Sequence, residues 1–171
     1  MKKNAFMFTL IALAIIAVCV GLMFIPGFAL LNKKLSYNAY EVIFYFSNRP
    51  EKDYFVNNTS GGRASAGGII ALIFLLFGAV SLGLSKKSSV LSLLGGLLVA
   101  ISGILFLMTP LWLLIIYEKG KVVANWEAYV VGGILLLVGA FISYLAIMRL
   151  KDEKNELAKP KSQQYSYLKN K

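Results

Sequence analysis

The amino-acid sequence predicts an all-α integral membrane protein: a bundle of four transmembrane helices forming a single domain over residues 1–158, followed by a polar tail at 159–171. Three observations predict it. The chain has 171 residues, of which 58% are hydrophobic, and its mean hydropathy is +0.70; soluble domains hold about 45–50% apolar residues. Those residues gather in four long runs between short polar connections, rather than recurring at the spacing of a core helix. None of the four runs carries Asp, Glu, Lys or Arg near its centre, where a charge is most costly in lipid.

The first run extends from about 5 to 31. It follows Lys2 and Lys3 as a signal peptide would, but its apolar core is too long for one. The segment Ile16-Ala17-Val18-Cys19 has the outline of a lipoprotein cleavage box. Val18 stands where such a box needs a small residue, and the sequence stays apolar beyond it, so Cys19 reads as a buried thiol. As the single cysteine of the chain, it has no partner for an internal disulfide.

The second run covers about 66–84, the third about 90–117 and the fourth about 126–148. Each supplies the roughly 20 residues that a helix needs to cross the hydrocarbon. Helices are expected because backbone groups in lipid must be paired within their own segment. Pro110 should bend the long third run, and Pro26 should do the same near the end of the first. Tyr117 and Trp126 bracket the last connection as aromatic anchors at the interface, with Trp112 about one turn deeper.

An even number of spans puts both termini on one side. With the N-terminus in the cytoplasm, the inner segments hold Lys2, Lys3, Lys86, Lys87 and seven basic residues from Arg149 onward. That gives eleven Lys or Arg inside against seven outside, the bias of the positive-inside rule. The formal charge of +10 therefore reads as topology signal and as attraction to anionic inner-leaflet lipids, the Lys-rich tail included. It is not a nucleic-acid face, because the basic residues flank apolar spans. These features place the chain in the cell membrane as a multi-pass protein, and its lipid-facing residues make the bilayer its first partner.

Close packing of small residues must hold such helices together, since hydrophobicity provides no drive between them in lipid. The last three runs each contain a Gly-Gly pair: Gly67-Gly68, Gly95-Gly96 and Gly132-Gly133. Ser92, Gly96 and Ala100 recur every four residues on one face, and Gly132, Gly139 and Ser143 continue a seam in the fourth run. Ala17 and Gly21 form a shorter one in the first. These residues read as packing surfaces within the bundle, with self-association as the competing use.

Catalytic equipment is scarce. The chain has no histidine, which removes Ser-His and Cys-His nucleophile pairs, and one cysteine cannot build a zinc site. No phosphate-binding glycine loop is present. Neither enzyme activity nor a cofactor is expected; the chain reads as a non-enzymatic tetraspan that binds or scaffolds other membrane components, with a subunit of a small oligomeric channel or transporter as the alternative. Glu127, beside Trp126 at the edge of the fourth run, reads as a solvated interfacial carboxylate.

The connection at 32–65 is the one sizeable polar segment. Asn38 and Glu41 have the spacing of a capping box and predict a short amphipathic helix from Ala39 to about Phe46. On it Tyr40, Ile43, Phe44 and Phe46 would form an apolar surface, a candidate docking face for lipid or for another membrane protein. An alternating strand through the same residues is the competing reading. Asn57-Asn58-Thr59-Ser60 contains two overlapping glycosylation sequons, relevant only in a secretory setting. The tail keeps helical residues to about Ala158 and turns polar beyond Pro160.

This layout has one long outer connection, a tight inner turn, a shorter outer connection and a cytoplasmic tail. It resembles the claudin and peripheral-myelin-protein tetraspan plan in topology only. Residues 32–65 lack the tryptophan motif and the cysteine pair of that family. Phe24-Ile25-Pro26 followed by Tyr40-Glu41-Val42-Ile43-Phe44 is similar to the first-span exit and aromatic loop of small four-span membrane proteins of Gram-positive bacteria. That resemblance implies a bacterial membrane protein and no particular activity.

Overall fold

The computed structural model describes residues 2–31, 35–44, 65–116 and 122–157. Helix α1 (Lys2–Leu22) leads through a turn at Pro26 into strands β1 (Ala29–Leu31) and β2 (Leu35–Tyr37) and the short helix α2 (Ala39–Phe44). Helix α3 (Ala66–Gly83) is joined by a 3-10 turn (Leu84–Lys87) to α4 (Ser89–Leu107). Then come α5 (Thr109–Ile116), β3 (Val122–Ala124) and α6 (Trp126–Leu157). Three helices are long and apolar enough to cross a membrane: Ala66–Lys86, Ser89–Leu107 and Trp126–Asn155. The apolar part of α1, Phe6–Leu22, is shorter.

The starts and stops have local causes. Ser65 accepts a hydrogen bond from the Gly68 N–H at 3.1 Å, and Ser88 accepts one from Val90 at 3.3 Å. Each fills an orphan donor at the start of its helix. The capping box of α2 is closed on both sides: Glu41 N–H donates to Asn38 Oδ1 at 2.8 Å and Asn38 N–H to Glu41 Oε2 at 2.9 Å. Asn38→Ala is therefore expected to cost about 1 kcal/mol locally and to speed amide hydrogen exchange at Glu41 and Val42, read by mass spectrometry in detergent.

One expectation needs correction. The first run is not one helix over 5–31, because α1 stops at Leu22 and the chain folds back past Pro26 into β1. Proline lacks an N–H to continue a helix, and the backbone beyond it finds partners across a sheet instead. The third run is interrupted between α4 and α5, next to Pro110, where a bend is expected. There the Thr109 hydroxyl donates to the Phe106 carbonyl, and Pro110 occupies the first turn of α5, where its missing N–H would be unpaired in any case.

The small sheet was not legible from the periodicity. Its order is β2-β1-β3, with β1 antiparallel to both neighbours. It ties the first polar connection to the last one, and Leu30 lies opposite both Ser36 and Val123. The strands have three residues each, too few to reveal a period of two. The sheet sits at the bundle end where α1 finishes and α6 begins, opposite the end formed by the 3-10 turn.

Helix α4 is the spine of the bundle, with glycines on two faces. Toward α3, a Cβ on Gly78 would come 3.1 Å from Val99 N and 3.2 Å from Gly95 O. Toward α6, a Cβ on Gly96 would come 2.8 Å from Ser143 N and 2.9 Å from Gly139 O. Gly103 meets Gly132 and Leu136 further along, so α4 and α6 run antiparallel with their backbones in contact. Ser102 donates to the Ala71 carbonyl at 2.8 Å, and Ser89 to Glu153 Oε1 at 2.7 Å. Both link α4 to a neighbour. Helix α1 completes the bundle with larger side chains; Phe8 packs edge-on against Phe141 with 5.9 Å between ring centroids.

Candidate functional site

The described residues bring most of their unusual chemistry to the sheet end. The backbone there is closely tied. Gly27 and Phe28 N–H groups donate to the Tyr37 carbonyl at 3.3 and 2.9 Å, Asn125 N–H to Phe28 O at 2.9 Å, and Ala39 N–H to Met23 O at 3.1 Å. Aromatic rings fill the space beneath: Phe28 is stacked on Trp112 at 6.2 Å and edge-on to Phe106 at 6.1 Å. The indole N–H of Trp112 donates to Leu105 O at 3.3 Å. Trp112, 7% exposed, is thus a core residue of this end.

Into this packing α6 places Glu127, in its first turn. The side chain is 3% exposed, and its Oε2 has no hydrogen-bond partner. The expectation of a solvated carboxylate is corrected by this geometry. The carboxyl rests directly on Gly27, where a Cβ would stand 2.5 Å from Glu127 Cδ. A Cβ at Gly27 would enter the space the carboxyl occupies, so the Glu127 side chain would have to move aside. Among the described residues this is the one acidic side chain placed inside the apolar packing; Glu41 caps α2 and Glu153 accepts from Ser89 at the opposite end.

The candidate docking residues divide. Ile43 is fully buried, and its side chain fills the space that a Cβ on Gly68 would enter. Tyr40 and Phe44 are half-buried. The Tyr40 ring packs on Phe24 at 4.3 Å and its hydroxyl donates to Val20 O at 3.5 Å; burial raises the phenol above its ordinary pKa. Phe46 lies outside the described residues, as do the sequons and the tail. The apolar face of α2 is thus largely occupied by the chain itself, and Phe24, 62% exposed, is the larger open surface beside it.

The seam residues Ser92, Gly96, Gly132, Gly139 and Ser143 are buried, and Ala100 is half-buried. The structure brings Gly96, Ala100, Gly139 and Ser143 together between α4 and α6, and joins Gly132 to Gly103. Gly103 is the seam residue the four-residue spacing missed. By contrast, Gly21 and Gly133 face open space, with nothing within 4 Å of where a Cβ would stand. Cys19 is buried. No group of three His, Cys, Asp or Glu is gathered among the described residues.

No protein-family model matches the chain, and no curated protein is similar to it.

Proposed function

We propose that this chain is a four-span protein of the bacterial cell membrane, with both termini in the cytoplasm, that binds or scaffolds other membrane components without catalysing a reaction. The observation that carries this reading is where the apolar surface lies. Large residues such as Leu76, Phe77, Leu137 and Tyr144 point away from the bundle, while α4 is held closely against α3 and α6 by glycine contacts and by Ser102 bonded to the Ala71 carbonyl. Among the described residues these contacts leave no gap along the α3–α4 and α4–α6 interfaces. The chain's working surfaces are then its outside, which meets lipid and neighbouring proteins. In this arrangement α1 crosses the membrane with the other three helices, and the sheet end faces outward.

Co-purification in a mild detergent, with lipid analysis, tests the reading. A defined protein or anionic lipid retained at constant ratio supports it; a chain that emerges alone and delipidated refutes it. Sidedness has its own test. A membrane-impermeant amine reagent applied to intact cells should leave Lys86 and Lys87 unmodified and should reach them after lysis. Reaction in intact cells would invert the orientation.

A further inference from the structure

We propose that the bundle end formed by the 3-10 turn holds a phosphate group between Ser85 and Arg149. Both side chains are left with unmade hydrogen bonds. Ser85 is 3% exposed and its Oγ has no hydrogen-bond partner; the Arg149 Nε–H is buried and has none either. The two residues continue the inward-facing lines of their helices, Ser85 after Leu75, Gly78 and Leu82, and Arg149 after Ile142 and Ala146. They also reach one level. Leu82 packs on Gly95 and Ser143 on Gly96, so α3 and α6 flank α4 side by side there. Ser85 is three residues past Leu82 and Arg149 six past Ser143. At 1.5 Å rise per residue this sets them about 3 Å apart along the bundle axis. Lys86, exposed beside Ser85, holds its ammonium over the Phe6 ring, 5.6 Å from the centroid, which brings α1 to the same end.

A phosphate suits this arrangement. A guanidinium presents planar donors that match phosphate oxygens, and a serine hydroxyl adds one more. A buried donor without an acceptor costs stability that an arriving acceptor restores. By sequence, this end carries Lys2, Lys3, Lys86, Lys87 and the basic residues from Arg149 onward, against the acids Asp152, Glu153 and Glu156. Of these acids Glu153 is engaged by the Ser89 hydroxyl at 2.7 Å. The local field therefore draws an anion. Arg149 is half-buried, so part of its side chain still reaches the margin. Arg149 and Lys86 are also the first charged residues after the apolar runs of α6 and α3, the level of lipid head groups in the four-span arrangement. The site deepens the reading of a protein that binds membrane components and rests on that reading for a phospholipid as the source of the phosphate.

The test uses the full-length chain, delipidated in dodecyl maltoside, with two probes: diheptanoyl phosphatidylglycerol, and inorganic phosphate against sodium chloride at equal ionic strength. Native mass spectrometry counts bound phosphatidylglycerol, and thermal unfolding reads both probes. The native chain should hold a single phosphatidylglycerol and unfold at a higher temperature by mass action. A midpoint raised by phosphatidylglycerol alone assigns the site to a lipid head group; one raised by inorganic phosphate as well assigns it to the phosphate group from either source. Arg149→Gln should weaken binding about tenfold, the loss of a charged hydrogen bond, and Ser85→Ala should weaken it less. Ser85→Ala removes a hydroxyl without a partner in the fold, so it decides the question should Arg149→Gln not fold. Lys151→Gln removes an equal charge from an exposed position two residues on and should leave binding unchanged. Equal weakening by Lys151→Gln and Arg149→Gln means diffuse attraction to a basic end; it overturns the site while anionic-lipid retention stands. Unchanged binding in either folded variant, Arg149→Gln or Ser85→Ala, overturns it too.

Discussion

Leucine at Gly103 is expected to cost about 3 kcal/mol, the upper end of the range for overpacking, and to dissociate α6 from α4 in detergent well below the native unfolding temperature. A Cβ there would stand 2.7 Å from the Gly132 carbonyl oxygen and 2.9 Å from Leu136 Cα. Both neighbours are backbone, so no rotamer change makes room and the helices must move apart. Separation breaks the rest of the seam, where Gly96 and Gly139 meet across the same interface. The Gly-Gly pair in α6 supplies a test of sign. Gly132→Ala places its Cβ 2.8 Å from Leu107 N and 2.9 Å from Gly103 O and should destabilise. Gly133→Ala meets nothing within 4 Å and should be neutral or stabilising by up to about 1 kcal/mol, the helix preference for alanine. Thermal unfolding of the three variants in one detergent decides. Equal effects at 132 and 133 would mean that the backbones are not in contact.

The contrast between those adjacent glycines shows what a sequence offers and withholds. The long helices were legible because a run of about 20 uncharged apolar residues has few alternatives in lipid. The α2 cap was legible because Asn38 and Glu41 interact over three residues, within one turn. Which glycine of a pair touches a neighbour depends on helix rotation, and uniformly apolar helices carry no amphipathic signal to fix it. The sheet was hidden for a related reason. Its pairing of Leu30 with Val123 spans most of the chain, and strands of three residues leave no local pattern. Glu127 stood out by type and position, yet its burial follows from Gly27, a contact across a hundred residues that neither segment announces. The candidate site was therefore visible as a residue and invisible as an environment.

That contact makes the second large effect. Gly27→Ala is expected to cost about 1–3 kcal/mol, as its methyl group would stand 2.5 Å from Glu127 Cδ and expel the carboxyl from its seat. The backbone offers little relief, so the Glu127 side chain is the part that must move. Gly27 and Phe28 are held to Tyr37, and Asn125 to Phe28, so the backbone on both sides of the contact is fixed by the sheet. A double-mutant cycle identifies the cause. In a Glu127→Ala background the carboxyl is gone, and Gly27→Ala should become nearly free, a coupling of about 2 kcal/mol. In a Glu127→Gln background the shape of the side chain is kept while its charge is removed, and the full cost should persist. Persistence with glutamine and loss with alanine would identify a steric contact that fixes where the sheet meets α6. Loss of the cost in both backgrounds would instead assign the destabilisation to the charge of the carboxylate rather than to its space.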